Sequence, residues 1–215
     1  MHQTEKSIAN HLLQIKAIKL ESASSFRWAS GWDSPIYCDS RKVLSFPEAR
    51  KLVRDAFCKK IKKEFPAVQL IAGVATGAIA HGVLVADSMD LPFVYVRSST
   101  KGHGLGNIIE GDAPAGTRVV VIEDLISTGK SSLKAVEALR ENRCEVMGLA
   151  AIFSYNFGIA EENFRKAGCT YTTLTNYNHL MDLALEEKIF TPEEIEVLKQ
   201  WQKDPAGWKP KTDNR

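Results

Sequence analysis

The chain has 215 residues, 44% of them hydrophobic and 25% charged, the balance of an ordinary globular protein with one substantial core, which excludes disordered and collagen-like classes. A formal net charge of +2 gives no general pull toward nucleic acid or an anionic membrane, so neither is expected as a partner and any positive site must be local. Cys38, Cys58, Cys144 and Cys169 form no C-x-x-C pair and have no histidine at ligand spacing, so structural zinc is not expected; with no apolar signal region and no apolar run of membrane-spanning length, the chain reads as cytoplasmic.

Ile8, Leu12, Ile15 and Ile18 recur at helical intervals and predict an amphipathic covering helix over residues 6–20. Residues 24–28 and 34–39 read as short extended segments about Ser30-Gly31-Trp32-Asp33, and are expected to pair as a hairpin. Pro47 opens a helix expected to run to about Phe65, with Ala49, Leu52, Val53, Ala56, Phe57 and Ile61 on its apolar face and Lys59, Lys60, Lys62 and Lys63 toward solvent. Strands are then expected at residues 68–74, 93–96, 119–122, 144–153 and 170–174, and helices at 79–89, 130–140 and 158–167, with tail helices near 179–188 and 192–202. Such alternation predicts an α/β fold: a mainly parallel central sheet flanked by helices, with ligand loops at the carboxyl ends of its strands.

One stretch carries chemistry. The apolar run at residues 119–122 is followed by Glu123 and Asp124, then by Ser127-Thr128-Gly129, a turn with N-cap character, and by a helix with Leu133, Val136 and Leu139 at helical spacing. Unpaired amides and the positive end of a helix suit a phosphate, and small hydroxylated residues let it approach the backbone. The two acids suit sugar hydroxyls. Gly129-Lys130-Ser131 is not a nucleotide-binding P-loop, because the Gly required five positions earlier is Asp124. Gly102, Gly104 and Gly106 are not a dinucleotide fingerprint either, since no helical pattern follows them.

Residues 97–111 interrupt the alternation. Connections this long inside a compact domain are usually functional. Arg97, Lys101 and His103 fall on it without nearby acids, so a closing loop could bring several cations onto an anion.

Residues 119–131 resemble the phosphoribosyl-diphosphate motif of type I phosphoribosyltransferases: an apolar run, two acids, a variable pair, then Ser-Thr-Gly and small residues. Lys101-x-His103-Gly104, together with Ser30-Gly31-x-x-Ser34-Pro35-Ile36-Tyr37-x-Asp39-x-Arg41, is similar to the orotate phosphoribosyltransferases over nearly the whole chain. The resemblance implies the type I phosphoribosyltransferase fold in a single domain over residues 1–215, with residues 1–45 forming a small N-terminal hood over the base site and residues 97–111 a mobile catalytic loop. It implies an enzyme that moves ribose 5-phosphate from phosphoribosyl diphosphate (PRPP) to N1 of orotate, giving orotidine 5′-phosphate and diphosphate in de novo pyrimidine biosynthesis. It also implies Mg²⁺, held mainly by substrate and water, and a homodimer with the loop shared across its interface.

Carried over by position, PRPP would be bound by Arg97, Lys101, His103, Glu123, Asp124, Leu125, Ile126, Ser127, Thr128, Gly129, Lys130 and Ser131, with Lys101, His103, Arg97 and Asp124 as the catalytic set. Ser127 would touch orotate and Tyr37 would stack on its ring. Where many members carry cations, this chain has Gly77, Ser98 and Tyr155, so the orotate carboxylate is left to Arg41, Lys42 or backbone amides. Two other uses of the fold make different demands. A PRPP-sensing regulator of nucleic acid would need a basic face or an added helix-turn-helix, and a purine transferase would need another base pocket, against which the motif at Pro35 and Tyr37 speaks.

Overall fold

The computed structural model describes residues 2–21, 26–28, 31–98 and 108–209. Its frame is one sheet in the order β10-β9-β8-β5-β6-β7, built from β5 (Leu70–Val74), β6 (Phe93–Val96), β7 (Ile109–Glu110), β8 (Arg118–Ile126), β9 (Glu145–Ser154) and β10 (Tyr171–Asn176). Every pairing is parallel except that of β7 with β6. Val119, Val120, Val121 and Ile122 have no exposed surface, as a strand covered on both faces requires.

Chain direction decides where the helices lie. From β5 the chain crosses through α3 (Ile79–Met89) to β6 on one side; from β8 it crosses through α4 (Lys130–Glu141) and α5 (Gly158–Lys166) to β9 and β10 on the other. Right-handed crossovers running in opposite directions place their helices on opposite faces. Accordingly α1 (His2–Gln14), α2 (Pro47–Glu64) and α3 pack together on one face and α4 with α5 on the other. The reversal falls between β5 and β8, and a crevice opens at their carboxyl ends, where ligands of open α/β sheets bind.

The predicted elements hold with three corrections. The first helix stops at Gln14: Lys16 adopts φ 55° and Ala17 N–H bonds Leu12 O at 2.9 Å, so the chain turns and Ile18 enters a strand, β1 (Ile18–Leu20). The expected hairpin forms in part. Strand β2 (Phe26–Arg27) pairs antiparallel with β3 (Asp33–Ser34), whereas β4 (Ile36–Cys38) pairs with β1. Third, β8 does not end at Ile122 but runs on through both acids, because β9 supplies partners as far as Ile126↔Ser154. Thus Glu123 and Asp124 are held by a sheet.

The small strands and a 3-10 turn at Ser40–Ser45 sit over the crevice, tied to the main body through aromatic packing. Trp201 of α7 (Pro192–Lys203) is fully buried, stands edge-on to Trp28, Tyr155 and Phe157 at centroid distances of 5.7, 5.8 and 5.3 Å, and donates its indole N–H to the Asp33 carbonyl. Between β10 and α7, α6 (Tyr177–Glu186) packs on α1. No described helix is long and apolar enough to cross a membrane.

Candidate active site

The turn after β8 is held open from behind. Gly129 takes φ +76°, and a Cβ there would lie 2.7 Å from Phe164 Cε2 of α5. Asn163 of the same helix donates to the Thr128 carbonyl at 2.9 Å, engaging one carbonyl of the turn. The N-cap is therefore Gly129 itself, with no side-chain cap bond, where sequence pattern had pointed to hydroxyl capping. Leu133 N–H bonds the Gly129 carbonyl, leaving the amides of residues 130–132 without an intrahelical acceptor. An anion can take that place. Gly129→Ala should lower stability by about 1–2 kcal/mol from the left-handed backbone alone, more once Phe164 is displaced; a thermal melt without ligand measures it.

Leu125 and Ile126 belong to the strand: Leu125 is opposite Phe153, and Ile126 is fully buried with its carbonyl accepting from Tyr155 N–H. The open cup is residues 127–131.

Glu123 is buried, 5% exposed. One carboxylate oxygen accepts the Ser132 hydroxyl at 2.9 Å and the other the Asp124 amide at 3.0 Å. Burial first, and the Asp124 charge second, push its carboxyl well above the usual range. Asp124 is half-buried and faces the loop after β5, where a Cβ on Gly77 would lie 2.5 Å from its Oδ2. That contact explains Gly77: a side chain would sit where the acid is. Behind Asp124 lies His81, 2% exposed, kept neutral by burial, with Nε2 unpartnered among the described residues.

Beside the cup opens a cleft of about 630 Å³. Ser127, Thr128 and Lys130 form one end; Leu125, Cys38, Tyr155 and the rings of Trp28 and Trp32 form its walls; Tyr37, Arg27 and Arg41 come from the small strands and 3-10 turn. Trp28 bonds the Ile36 carbonyl through its indole N–H (3.1 Å) and lies 4.9 Å from Tyr155, which stacks on Phe157 at 5.3 Å. Burial pushes the Cys38 thiol up to about 12, so it lines the cleft as an inert neutral group. Ser127 and Tyr37, expected at the base, both line this cleft. Trp28, Trp32 and Cys38 were not singled out by sequence; their one signal was proximity to Tyr37.

Arg97 lies across the crevice, with Ala75, Ser98, Ser131 and Lys134 around a smaller cavity of about 80 Å³. The expectation that it has no nearby acid is corrected: β7 returns antiparallel beside β6, and Glu110 pairs with the Arg97 guanidinium at 3.3 Å. Lys101 and His103 lie outside the described residues.

The phosphoribosyl transferase domain family matches residues 40–185. Orotate phosphoribosyltransferase of Bacteroides thetaiotaomicron is 54% identical over 208 residues, covering 97% of this chain and 98% of its own; that of Listeria monocytogenes is 50% identical over 204 residues, covering 95% and 98%. The crystal structure of orotate phosphoribosyltransferase from Aeropyrum pernix superposes with a TM-score of 0.75 at 27% identity, over 86% of this chain and 99% of that one. With the acids, the cup and the cleft set at one sheet edge, and with similarity running nearly end to end, the chain belongs to the orotate phosphoribosyltransferase family of phosphoribosyl transferase domains.

Proposed function

We propose that this chain transfers ribose 5-phosphate from PRPP to N1 of orotate, releasing diphosphate and giving orotidine 5′-phosphate for pyrimidine synthesis in the cytoplasm. The observation that carries the reading is the continuity of the amide cup with the aromatic cleft, because a sugar phosphate seated at residues 127–131 would present its anomeric carbon to a flat base in the cleft. Glu123 and Asp124 accept the ribose hydroxyls, and their charge favours the cationic character that develops on the sugar as diphosphate departs. Ser127 bonds orotate and Tyr37 covers its ring. Arg97, aimed by Glu110, and the loop residues Lys101 and His103 neutralise the departing diphosphate, and closure of residues 97–111 keeps water from the donor.

The site fits a Mg²⁺ held mainly by substrate oxygens and water: Glu123 is buried with both oxygens engaged, and Asp124 is the partly exposed acid beside the cup. When bound it adds positive charge at the diphosphate. A homodimer in which each loop serves the partner's site completes the proposal.

The test is orotate consumption, followed by absorbance with PRPP and Mg²⁺, against adenine, hypoxanthine and uracil. Turnover of orotate alone is expected. Turnover of a purine would move the chain to the purine transferases, and donor binding without any turnover would favour a sensor.

A further inference from the structure

We propose that Arg41, oriented by Asp39, is the residue that selects a 6-carboxylated pyrimidine by holding its carboxylate in the cleft; the inference rests on the proposed reaction.

Orotate differs from uracil by one carboxylate beside the nitrogen that is glycosylated. Bringing that anion against Trp28, Leu125 and Tyr155 without a partner would cost several kcal/mol, so an orotate site must supply one. The candidates separate on position. Lys42 is spent elsewhere: its ammonium donates to the Lys16 carbonyl at 3.1 Å, and it does not line the cleft. Arg97 pairs with Glu110 beside a different cavity. Lys130 opens helix α4 at the phosphate cup, where the sugar's own dianion needs it. Tyr155 lines the cleft, but burial keeps its hydroxyl neutral, so it offers a hydrogen bond without the positive charge a buried carboxylate needs. Arg27 and Arg41 remain.

Of these two, Arg41 is the preorganised one. Its Nε donates to Asp39 Oδ1 at 2.7 Å, which orients the guanidinium. Its two Nη groups make no other hydrogen bond among the described residues, so one edge of the fork is open. A fork of this kind matches a carboxylate through parallel N–H bonds. The bond to Arg41 lowers the Asp39 pKa, so the pair stays ionised, and Tyr37 and Asp124 are the other titratable groups near the guanidinium. Arg27 and Arg41 are both exposed on the cleft rim, but Arg27 has no described ion pair to orient it. Fixing it would cost entropy that Arg41 has already lost.

The experiment compares wild type with Arg41→Gln, Arg41→Lys, Asp39→Asn and Arg27→Gln, measuring KM for orotate and for PRPP separately and the orotate-to-uracil ratio of kcat/KM. Binding of orotidine 5′-phosphate, read by the change in intrinsic tryptophan fluorescence to which Trp28 and Trp32 in the cleft contribute, gives a readout independent of turnover, and thermal melts check folding. Arg41→Gln should raise orotate KM about 10- to 50-fold, as for loss of a charged hydrogen-bonding partner, and shrink the uracil discrimination equally. Its PRPP KM should stay within about threefold, because the cup and Arg97 are untouched. Arg41→Lys should recover only part, since a lysine cannot make the fork, and Asp39→Asn should fall between. The proposal is overturned if Arg41→Gln raises PRPP KM instead, which would assign Arg41 to the diphosphate near Asp124, or if Arg27→Gln alone produces the orotate defect. A wild-type chain that does not use orotate would sink the functional reading itself, a separate failure visible before any variant is made.

Discussion

A Lys101→Ala variant is expected to lose about 100-fold or more in kcat with both substrates saturating, the usual consequence of deleting one preorganised donor to a developing anion. The loss should be large here because few cations share the load. A side chain at Gly77 would have to displace the Asp124 carboxylate beside it, and Ser98 carries no charge. Arg97 is fixed to the rim by Glu110, so charge that arrives only with the transition state must come from the loop. On the proposed roles, KM for PRPP should change much less than kcat, since the 5′-phosphate is assigned to the cup and not to Lys101. Mixing Lys101→Ala chains with Asp124→Asn chains then tests the shared loop: hybrid dimers regain activity if each loop serves its partner's site, and stay inactive if it serves its own. Unchanged kcat in Lys101→Ala would remove this residue from the mechanism.

What sequence reveals and what it hides follow different physics in this chain. Helices α3 and α4 begin at Ile79 and Lys130 as pattern predicts, because the small residues of Ala75-Thr76-Gly77 and Ser127-Thr128-Gly129 break the preceding strands sharply. Strand β8 runs four residues beyond its apolar pattern, since Glu123 and Asp124 look like the end of an apolar run; what extends it is non-local, the long partner strand β9. The first helix ends before its apolar pattern does, for the converse reason. Ile15 and Ile18 continue its period, and nothing local announces the left-handed turn at Lys16 that feeds β1. The site shows the same division. The phosphate cup and acids lie within one contiguous stretch and are legible, whereas the cleft gathers Arg27, Trp28, Tyr37, Arg41, Leu125 and Tyr155 from distant segments. Ser132 looked like a helix residue and nothing more, yet its hydroxyl is a partner of Glu123.

That bond makes Glu123 the place where stability and activity should move in opposite directions. Glu123→Gln is expected to stabilise the ligand-free protein at pH 7 to 8 by about 1–2 kcal/mol, the cost of a buried carboxylate incompletely compensated, and to lower kcat/KM about 100-fold. A glutamine can satisfy the same surroundings, its oxygen accepting the Asp124 amide and its NH₂ donating to the Ser132 hydroxyl. Because burial and Asp124 raise the folded pKa of Glu123 above its unfolded value of about 4.3, the folded chain binds more protons than the unfolded chain between those values. Stability therefore falls as pH rises through that window, and only the wild type pays this penalty. The melting difference should be small near pH 4 and widen toward neutrality, reaching roughly 2–8 °C for a domain of this size. Catalysis runs the other way, because the sugar gathers positive charge only in the transition state and an ionised Glu123 is most useful then. Wild-type kcat/KM should accordingly decline as the pH drops through the raised Glu123 range, while the Gln variant shows no such limb. Equal melting temperatures at every pH would mean that the Ser132 and Asp124 bonds already compensate the buried charge, and that this acid carries no strain for the substrate to relieve.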